Sequence, residues 1–153
     1  MGCFTQRHID YIDGVVTESY VYASANDLGT GRVRRVKVLR SLWDTGASST
    51  LISTRVARAL ELKAIGKSGV SGFNIGIDIK DTYYVHIGLP TGDVVTDVEA
   101  MEFDGEEYDV VIGMDIICKG DFALSNTEDH ADRTEKHSQD IRQRAAAARA
   151  QRH

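Results

Sequence analysis

The chain has 153 residues, a net charge of −5 and 42% hydrophobic residues. These values predict one globular domain that can bury a core without disulfides or metals. No run approaches the ~18 consecutive apolar residues of a membrane helix, and the net charge gives no reason to expect nucleic acid as a partner. Two cysteines, Cys3 and Cys118, are too few for a disulfide framework, which favours a reducing, cytoplasmic compartment.

The composition changes sharply after Asn126. Beyond it the only apolar residues are Ile141 and six alanines, so this segment can add little to a core. Ala, Arg and Gln dominate the stretch from Gln139 to Gln151, and all three are strong helix formers. The sequence therefore predicts a folded domain over residues 1–126 and a charged tail over 127–153 that is a solvated helix or disordered.

Short β-type runs separated by turns begin at Val15. The runs from Val15 to Ala23 and from Val33 to Trp43 predict a hairpin, with its turn between Asn26 and Gly31. The alternation of the second run fails at Leu39-Arg40, where a β-bulge is expected. Ser53 is the predicted N-cap of a short helix that ends near Leu62.

The β pattern continues in the second half of the domain. Alternating apolar residues predict further strands, and the single proline, Pro90, falls in a turn between two of them. Short strands at this spacing predict a mainly β fold, a small barrel or sandwich in which antiparallel pairing dominates. The predicted strands are Ile75–Ile79, Tyr83–Leu89, Val94–Phe103 and Phe122–Leu124.

The segment that points most clearly to a chemical function is Leu42-Trp43-Asp44-Thr45-Gly46-Ala47. An apolar strand leads directly into Asp-Thr-Gly, so a carboxylate is expected at the end of a buried strand. Gly46 allows backbone to approach that carboxylate closely, and the Thr45 hydroxyl can bond to a neighbouring loop. The same residue types also form ordinary turns, so the tripeptide alone leaves a simple strand-ending turn open.

Two further segments extend this pattern. The apolar run Val110-Val111-Ile112 enters Gly113 and a short helix predicted from Met114 to Lys119. Between this run and Asp44 lies a glycine-rich segment that predicts a flexible hairpin. Each segment alone is typical of ordinary structure, a buried strand in the first case and a turn in the second. The glycines concerned are Gly66, Gly69, Gly72 and Gly76.

In this order the three segments resemble the retropepsin-like aspartic proteases. In that family Asp-Thr-Gly-Ala carries the catalytic aspartate, a glycine-rich flap covers the substrate, and an apolar-apolar-Gly segment passes beside the catalytic loop. The resemblance spans about Val15 to Asn126 and implies a small closed acid-protease-like β-barrel with one or two short helices. The implied site residues are Asp44, Thr45, Gly46 and Ala47 for catalysis, and Gly69, Val70, Ser71, Gly72, Phe73, Ile112 and Gly113 for substrate binding.

The resemblance also implies a homodimer. An aspartic protease needs two carboxylates that share one water, and this chain has a single Asp-Thr-Gly. A second copy of the chain must then supply the other Asp44. The expected function is that of an aspartic endopeptidase, which hydrolyses polypeptide substrates without a cofactor or a metal.

One departure from the family pattern leaves an alternative open. Many retroviral members have an acidic residue directly after the alanine, where it helps to hold the substrate backbone, but this chain has Ser48 and Ser49. The alternative is a catalytically weak dimer that acts as a peptide-binding or scaffold module. The intact Asp-Thr-Gly favours the enzyme, because a buried carboxylate pair costs stability without benefit to a scaffold. A nucleotide site at Gly66-Lys67-Ser68 is disfavoured, since Glu61 stands where a P-loop needs glycine.

Overall fold

The computed structural model describes residues 3–6, 12–24, 33–72 and 75–123. The chain divides into two compact units, residues 1–122 and 123–153, and every described helix and strand lies in the first. The turn expected between Asn26 and Gly31, Leu124, and the whole tail over 127–153 lie outside the described residues.

The described residues form short strands and two short helices. The longer helix has six residues, and no helix in these ranges is long and apolar enough to cross a membrane. In chain order the elements are β1 (Val15–Ala23), β2 (Arg35–Trp43), β3 (Leu51–Ser53), α1 (Thr54–Ala59), β4 (Gly66–Gly72), β5 (Ile75–Gly88), β6 (Val94–Phe103), β7 (Val110–Ile112) and α2 (Met114–Ile117).

Six of these strands close into a barrel. They follow the order β1-β2-β7-β3-β6-β5, and β1 pairs back onto β5. Closure removes the unpaired edges that an open sheet would expose. Most pairings are antiparallel, while β2–β7 and β3–β6 are parallel. The mainly β fold and the closed barrel are therefore confirmed. The remaining strand, β4, forms a hairpin with β5.

The first hairpin contains the bulge that the sequence predicts. Between the pairs Thr17–Ser41 and Ser19–Val38, β2 has one residue more than β1. The extra residue lies at Leu39-Arg40, so the prediction is confirmed. At this irregularity the hydroxyl oxygens of Ser19 and Ser41 lie 2.6 Å apart, and both side chains are buried. Each hydroxyl therefore finds in the other the partner that a buried polar group needs.

The core fills the barrel and the space beneath α1. Ser53 caps α1 as predicted, and its hydroxyl accepts a hydrogen bond from the Val56 N–H at 3.3 Å. Val56 and Leu60 then face inward from successive turns. They pack with strand residues such as Ile52 and Ile87, which are fully buried. The helix is thus fastened to the barrel by its apolar face.

A side-chain hydrogen bond between Tyr83 and Glu102 joins β5 to β6. The hydroxyl of Tyr83, which is buried, donates a hydrogen bond to the Glu102 carboxylate at 2.5 Å. Burial, and secondly this hydrogen bond, hold the pKa of Tyr83 well above its usual range. The hydroxyl therefore remains a donor throughout the physiological pH range. Thr54, the first residue of α1, donates to the same carboxylate at 2.7 Å, so Glu102 also fixes the helix to β6.

Three predicted strands need correction. Ile75–Ile79 and Tyr83–Leu89 were expected to be separate, but they belong to one strand of 14 residues, β5. The polar residues between them continue the ladder with β4, because backbone pairing does not require apolar side chains. The predicted strand Phe122–Leu124 is wrong for Phe122 and Ala123, which have irregular backbone.

We expect Ile87→Ala and Ile79→Ala to differ strongly in stability although both lie in β5. Ile87 is fully buried, so its loss should lower the free energy of unfolding by about 2–5 kcal/mol. Ile79 is 63% exposed, and its loss should change the value by no more than about 0.5 kcal/mol. Urea denaturation at matched protein concentration measures both. Equal losses would contradict the packing described for β5.

Candidate active site

Asp44 lies immediately after β2, at the start of the segment that joins β2 to β3. We call residues 44–50 the Asp-Thr-Gly loop. Between the two strands runs β7, which pairs in parallel with β2 and antiparallel with β3. The loop must therefore pass over the end of β7, where Ile112 and Gly113 follow one another. The barrel topology thus brings together two of the predicted segments, which are far apart in sequence.

Backbone hydrogen bonds fix the beginning of the loop. The N–H of Asp44 donates to the carbonyl of Ile112 at 3.0 Å, and the N–H of Ala47 donates to the carbonyl of Asp44 at 3.3 Å. The N–H of Gly46 donates to the Asp44 carboxylate, to Oδ1, at 2.8 Å. A Cβ on residue 46 would lie 3.1 Å from the same oxygen. Gly46 therefore permits the close approach of backbone that the sequence predicts.

The side chains of Asp44 and Thr45 differ in accessibility. Asp44 is half-buried, whereas Thr45 is exposed. Within the described part of the chain, the Asp44 carboxylate receives its hydrogen bond on Oδ1, and the Thr45 hydroxyl makes none. One chain therefore presents one oriented carboxylate and, beside it, one hydroxyl available to another molecule.

The end of the loop packs closely against Gly113. A Cβ on Gly113 would lie 2.6 Å from the backbone carbon and oxygen of Ser49, so only glycine permits this approach. The next two residues bind the loop through their backbone: Met114 N–H donates to the Ala47 carbonyl at 2.8 Å, and Asp115 N–H donates to the Ser48 carbonyl at 3.3 Å. The start of α2 therefore holds the middle of the loop.

Two polar side chains that the sequence did not single out join the same structure. Thr50 is fully buried, and its hydroxyl donates to Oδ1 of Asp115 at 2.8 Å and accepts from the Gly113 N–H at 3.2 Å. No local signal identifies either residue, because a threonine after two serines is typical of a turn. An aspartate at the start of a helix is likewise ordinary.

The predicted flap residues lie in a β-hairpin that extends beyond the barrel. Gly69, Val70, Ser71 and Gly72 belong to β4, and Gly72 pairs with Ile75 of β5. Phe73, which follows Gly72 in the chain, lies outside the described residues. These glycines therefore belong to the first strand of the hairpin.

A cavity of about 320 Å³ lies between the hairpin and the Asp-Thr-Gly loop. Ser68 of β4 and Ser49 of the loop line it together with residues of β6 and of the α2 region, whereas Asp44 does not. The cavity therefore adjoins the site without containing its carboxylate. The other lining residues are Asp97, Val98, Glu99, Met101, Asp115 and Lys119.

Trp43, the residue before Asp44, is held from three sides. Its indole N–H donates to Oγ1 of Thr17 at 2.9 Å. Its ring stacks on Phe122 with centroids 5.9 Å apart, and it meets Phe4 in a tilted contact at 5.8 Å. Aromatic contacts of this kind restrict the side chain beyond simple burial. The end of β2 is therefore fixed immediately before the candidate catalytic residue.

Residues 13–119 match the family model described as "gag-polyprotein putative aspartyl protease". The matched segment includes the Asp-Thr-Gly loop, the β4–β5 hairpin and β7. It covers well over half of the chain. No curated protein matches the sequence.

Several solved structures are similar to this chain. The foamy viral protease-reverse transcriptase in complex with an RNA/DNA hybrid has 19% identity and a TM-score of 0.49 over 73% of this chain, but this chain spans only 13% of the viral one. A retropepsin-like aspartic protease from Rickettsia conorii has 14% identity and a TM-score of 0.46, with 76% and 91% of the two chains covered. The retroviral protease-like domain of Ddi1 from Leishmania major has 18% identity and a TM-score of 0.37, with 69% and 78% covered.

We predict that Gly113→Ala destabilises the protein and disrupts the site, whereas Gly120→Ala does neither. The added methyl at residue 113 must displace the Ser49 backbone, which should cost about 1–3 kcal/mol of unfolding free energy. A methyl group on residue 120 would meet no atom within 4 Å, so this variant should stay within about 0.5 kcal/mol of the wild type. Thermal and urea unfolding measure both, and a neutral Gly113→Ala would contradict the close packing of loop and strand.

Proposed function

We propose that this chain, which belongs to the retropepsin-like gag-polyprotein aspartyl protease family, is an aspartic endopeptidase that acts as a homodimer. The observation that carries the proposal is the half-buried Asp44 carboxylate, oriented by the Gly46 N–H at the end of a barrel strand. This carboxylate stands in the Asp-Thr-Gly sequence, inside the segment that matches the family. Its geometry suits a group that must hold a water in a defined position.

The proposed chemistry needs two such carboxylates. Two close carboxylates cannot both ionise readily, so the pair shares one proton. The ionised carboxylate takes a proton from the water, and the water oxygen attacks the peptide carbonyl carbon. At the same time the protonated carboxyl group donates its proton to the carbonyl oxygen. The resulting tetrahedral diol collapses with cleavage of the C–N bond, and the leaving amine takes up a proton. No covalent bond to the enzyme forms at any step.

The second carboxylate is proposed to come from a second copy of the chain. One chain contains one Asp-Thr-Gly, and within the described ranges no other acidic side chain is hydrogen-bonded to Asp44. A twofold axis beside Asp44 would bring the same residue of both copies together. The exposed Thr45 hydroxyl, which has no partner within the described part of the chain, is then suited to bond across to the other copy.

The polypeptide substrate is proposed to lie between the Asp-Thr-Gly loop and the hairpin. Gly69 to Gly72 would act as one arm of a flap, and Ile112-Gly113 would form the adjoining wall, while a substrate contact of Phe73 stays a prediction from the sequence. Two observations support this arrangement: the hairpin extends beyond the barrel, and Ser68 shares a cavity with Ser49. Opening and closing of such a hairpin can admit substrate and exclude water.

The cytoplasmic compartment stays a prediction from the sequence. Cys3 and Cys118 are free and exposed, which is compatible with a reducing environment. The boundary of the folded domain at residue 126 and the character of the 127–153 tail stay predictions as well. The alternative of a peptide-binding scaffold differs from the proposed enzyme in one property, peptide-bond turnover, which the next two experiments measure.

Asp44→Asn should abolish peptide hydrolysis while the protein stays folded. Asparagine keeps the size of the side chain and an Oδ1 that can accept the Gly46 N–H, but it cannot act as the base. The measurement is cleavage of a peptide library, with circular dichroism to establish folding. Asp121→Asn, at an exposed aspartate outside the site, is the matched control and should retain full activity. Turnover by Asp44→Asn at the wild-type rate would refute the enzyme assignment.

The same variant should lower the activity of the wild-type protein by forming inactive mixed dimers with it. At a fixed amount of wild-type chain, after subunit exchange, an equal amount of Asp44→Asn should reduce activity to about half, and a ninefold excess should leave about a tenth. The reason is that each mixed dimer holds a single functional carboxylate. Asp121→Asn added in the same amounts should raise activity instead. If the activity does not change when the Asp44→Asn chain is added, one chain forms a complete site.

A further inference from the structure

The Asp-Thr-Gly loop is anchored at its far end by a side-chain link rather than by backbone alone. The buried Thr50 hydroxyl stands between two residues at the start of α2, accepting from the Gly113 N–H at 3.2 Å and donating to Oδ1 of Asp115 at 2.8 Å. The same Oδ1 also accepts from the Ile116 N–H at 3.0 Å. One carboxylate oxygen thus connects the last residue of the loop with the first turn of the helix.

This link closes a ring of contacts around the loop. At the near end, Asp44 is bound to the Ile112 carbonyl. In the middle, the Ala47 carbonyl accepts from the Met114 N–H. Thr50 and Asp115 complete the ring at the far end. A rigid loop is needed because a displacement of about 1 Å at a reacting group can cost about a hundredfold in rate.

We propose that Thr50 and Asp115 are positioning residues that set the orientation of the Asp44 carboxylate through this ring. This inference rests on the proposed protease function. Neither side chain is hydrogen-bonded to Asp44, so both act through the loop backbone. Their hydrogen bonds compensate for a buried hydroxyl that would otherwise lack a donor and an acceptor partner. The link therefore serves both the packing of the loop and the position of its far end relative to Gly113 and α2.

Substitutions of Thr50 can distinguish the positioning role from direct substrate binding. Asp115 lines the cavity beside the loop, whereas Thr50 does not line it and is fully buried. A change at Thr50 can therefore reach the reaction only indirectly, through the position of the loop and of Gly113. A change at Asp115 can act through the loop and through the cavity, so the two residues together distinguish the effects.

The experiment compares two pairs of variants in the full-length chain. Thr50→Val keeps the shape of the side chain but removes the hydroxyl, while Thr50→Ser keeps the hydroxyl. Asp115→Leu removes the acceptor, while Asp115→Asn keeps an Oδ1 that can accept from Thr50. The measurements are kcat and KM for one cleavable peptide, with folding and dimerisation followed by circular dichroism and sedimentation.

We expect Thr50→Val and Asp115→Leu each to lower kcat about ten- to a hundredfold. KM of Thr50→Val should stay within about twofold of wild type, because the cavity is unchanged. Thr50→Ser and Asp115→Asn should retain most of kcat. In the double variant Thr50→Val/Asp115→Leu the losses should not multiply, since both changes break one link.

Four results would overturn the inference. They are an unchanged kcat in folded Thr50→Val, a Thr50→Ser variant as damaged as Thr50→Val, an Asp115→Asn variant as damaged as Asp115→Leu, and loss of folding in both Thr50→Val and Asp115→Leu. The third would assign the effect to the carboxylate charge, and the fourth would make the link a requirement for folding alone. Wild-type turnover is measured alongside, and its absence would refute the proposed function instead.

Discussion

The arrangement of the candidate site depends on the passage of β7 between β2 and β3. Because β7 occupies the space between these strands, the segment that joins them must cross its end. That crossing brings the backbone of Ser49 so close to Gly113 that a methyl group would not fit. Once the crossing is fixed, the position of Asp44 follows, since its N–H bonds to the last residue of β7.

Most contacts that fix the loop are made by backbone atoms, so the shape of the loop does not require an acidic residue after Ala47. Ser48 and Ser49 stand where many retroviral members have an acidic residue, yet Ser48 uses its carbonyl and Ser49 its close packing. Neither contact depends on the side chain. The Thr50–Asp115 hydrogen bond is the exception, because it joins the loop to α2 through two side chains. The side-chain partner of this bond thus comes from α2 and not from the loop itself.

The sequence was informative where a feature is local or periodic. Strand-type residues, apolar runs and alternation predicted most of the barrel strands, the failure of the alternation predicted the bulge at Leu39-Arg40, and Asp-Thr-Gly identified the loop. It was uninformative where a feature depends on distant partners. The continuity of β5 follows from pairing with β4, and the irregular backbone at Phe122 accompanies a ring stacked on Trp43. The hydrogen bond between Thr50 and Asp115 spans 65 residues, and no local pattern marks it.

In the proposed enzyme, one chain carries half of an active site and two copies of Asp44 form one centre. The most direct test is the stoichiometry with which the protein binds a peptide whose statine hydroxyl mimics the tetrahedral diol, measured by calorimetry together with sedimentation. We expect one bound peptide for every two chains, and we expect Asp44→Asn to lose this binding. One peptide bound per chain, on a protein that sediments as a monomer, would refute the shared site.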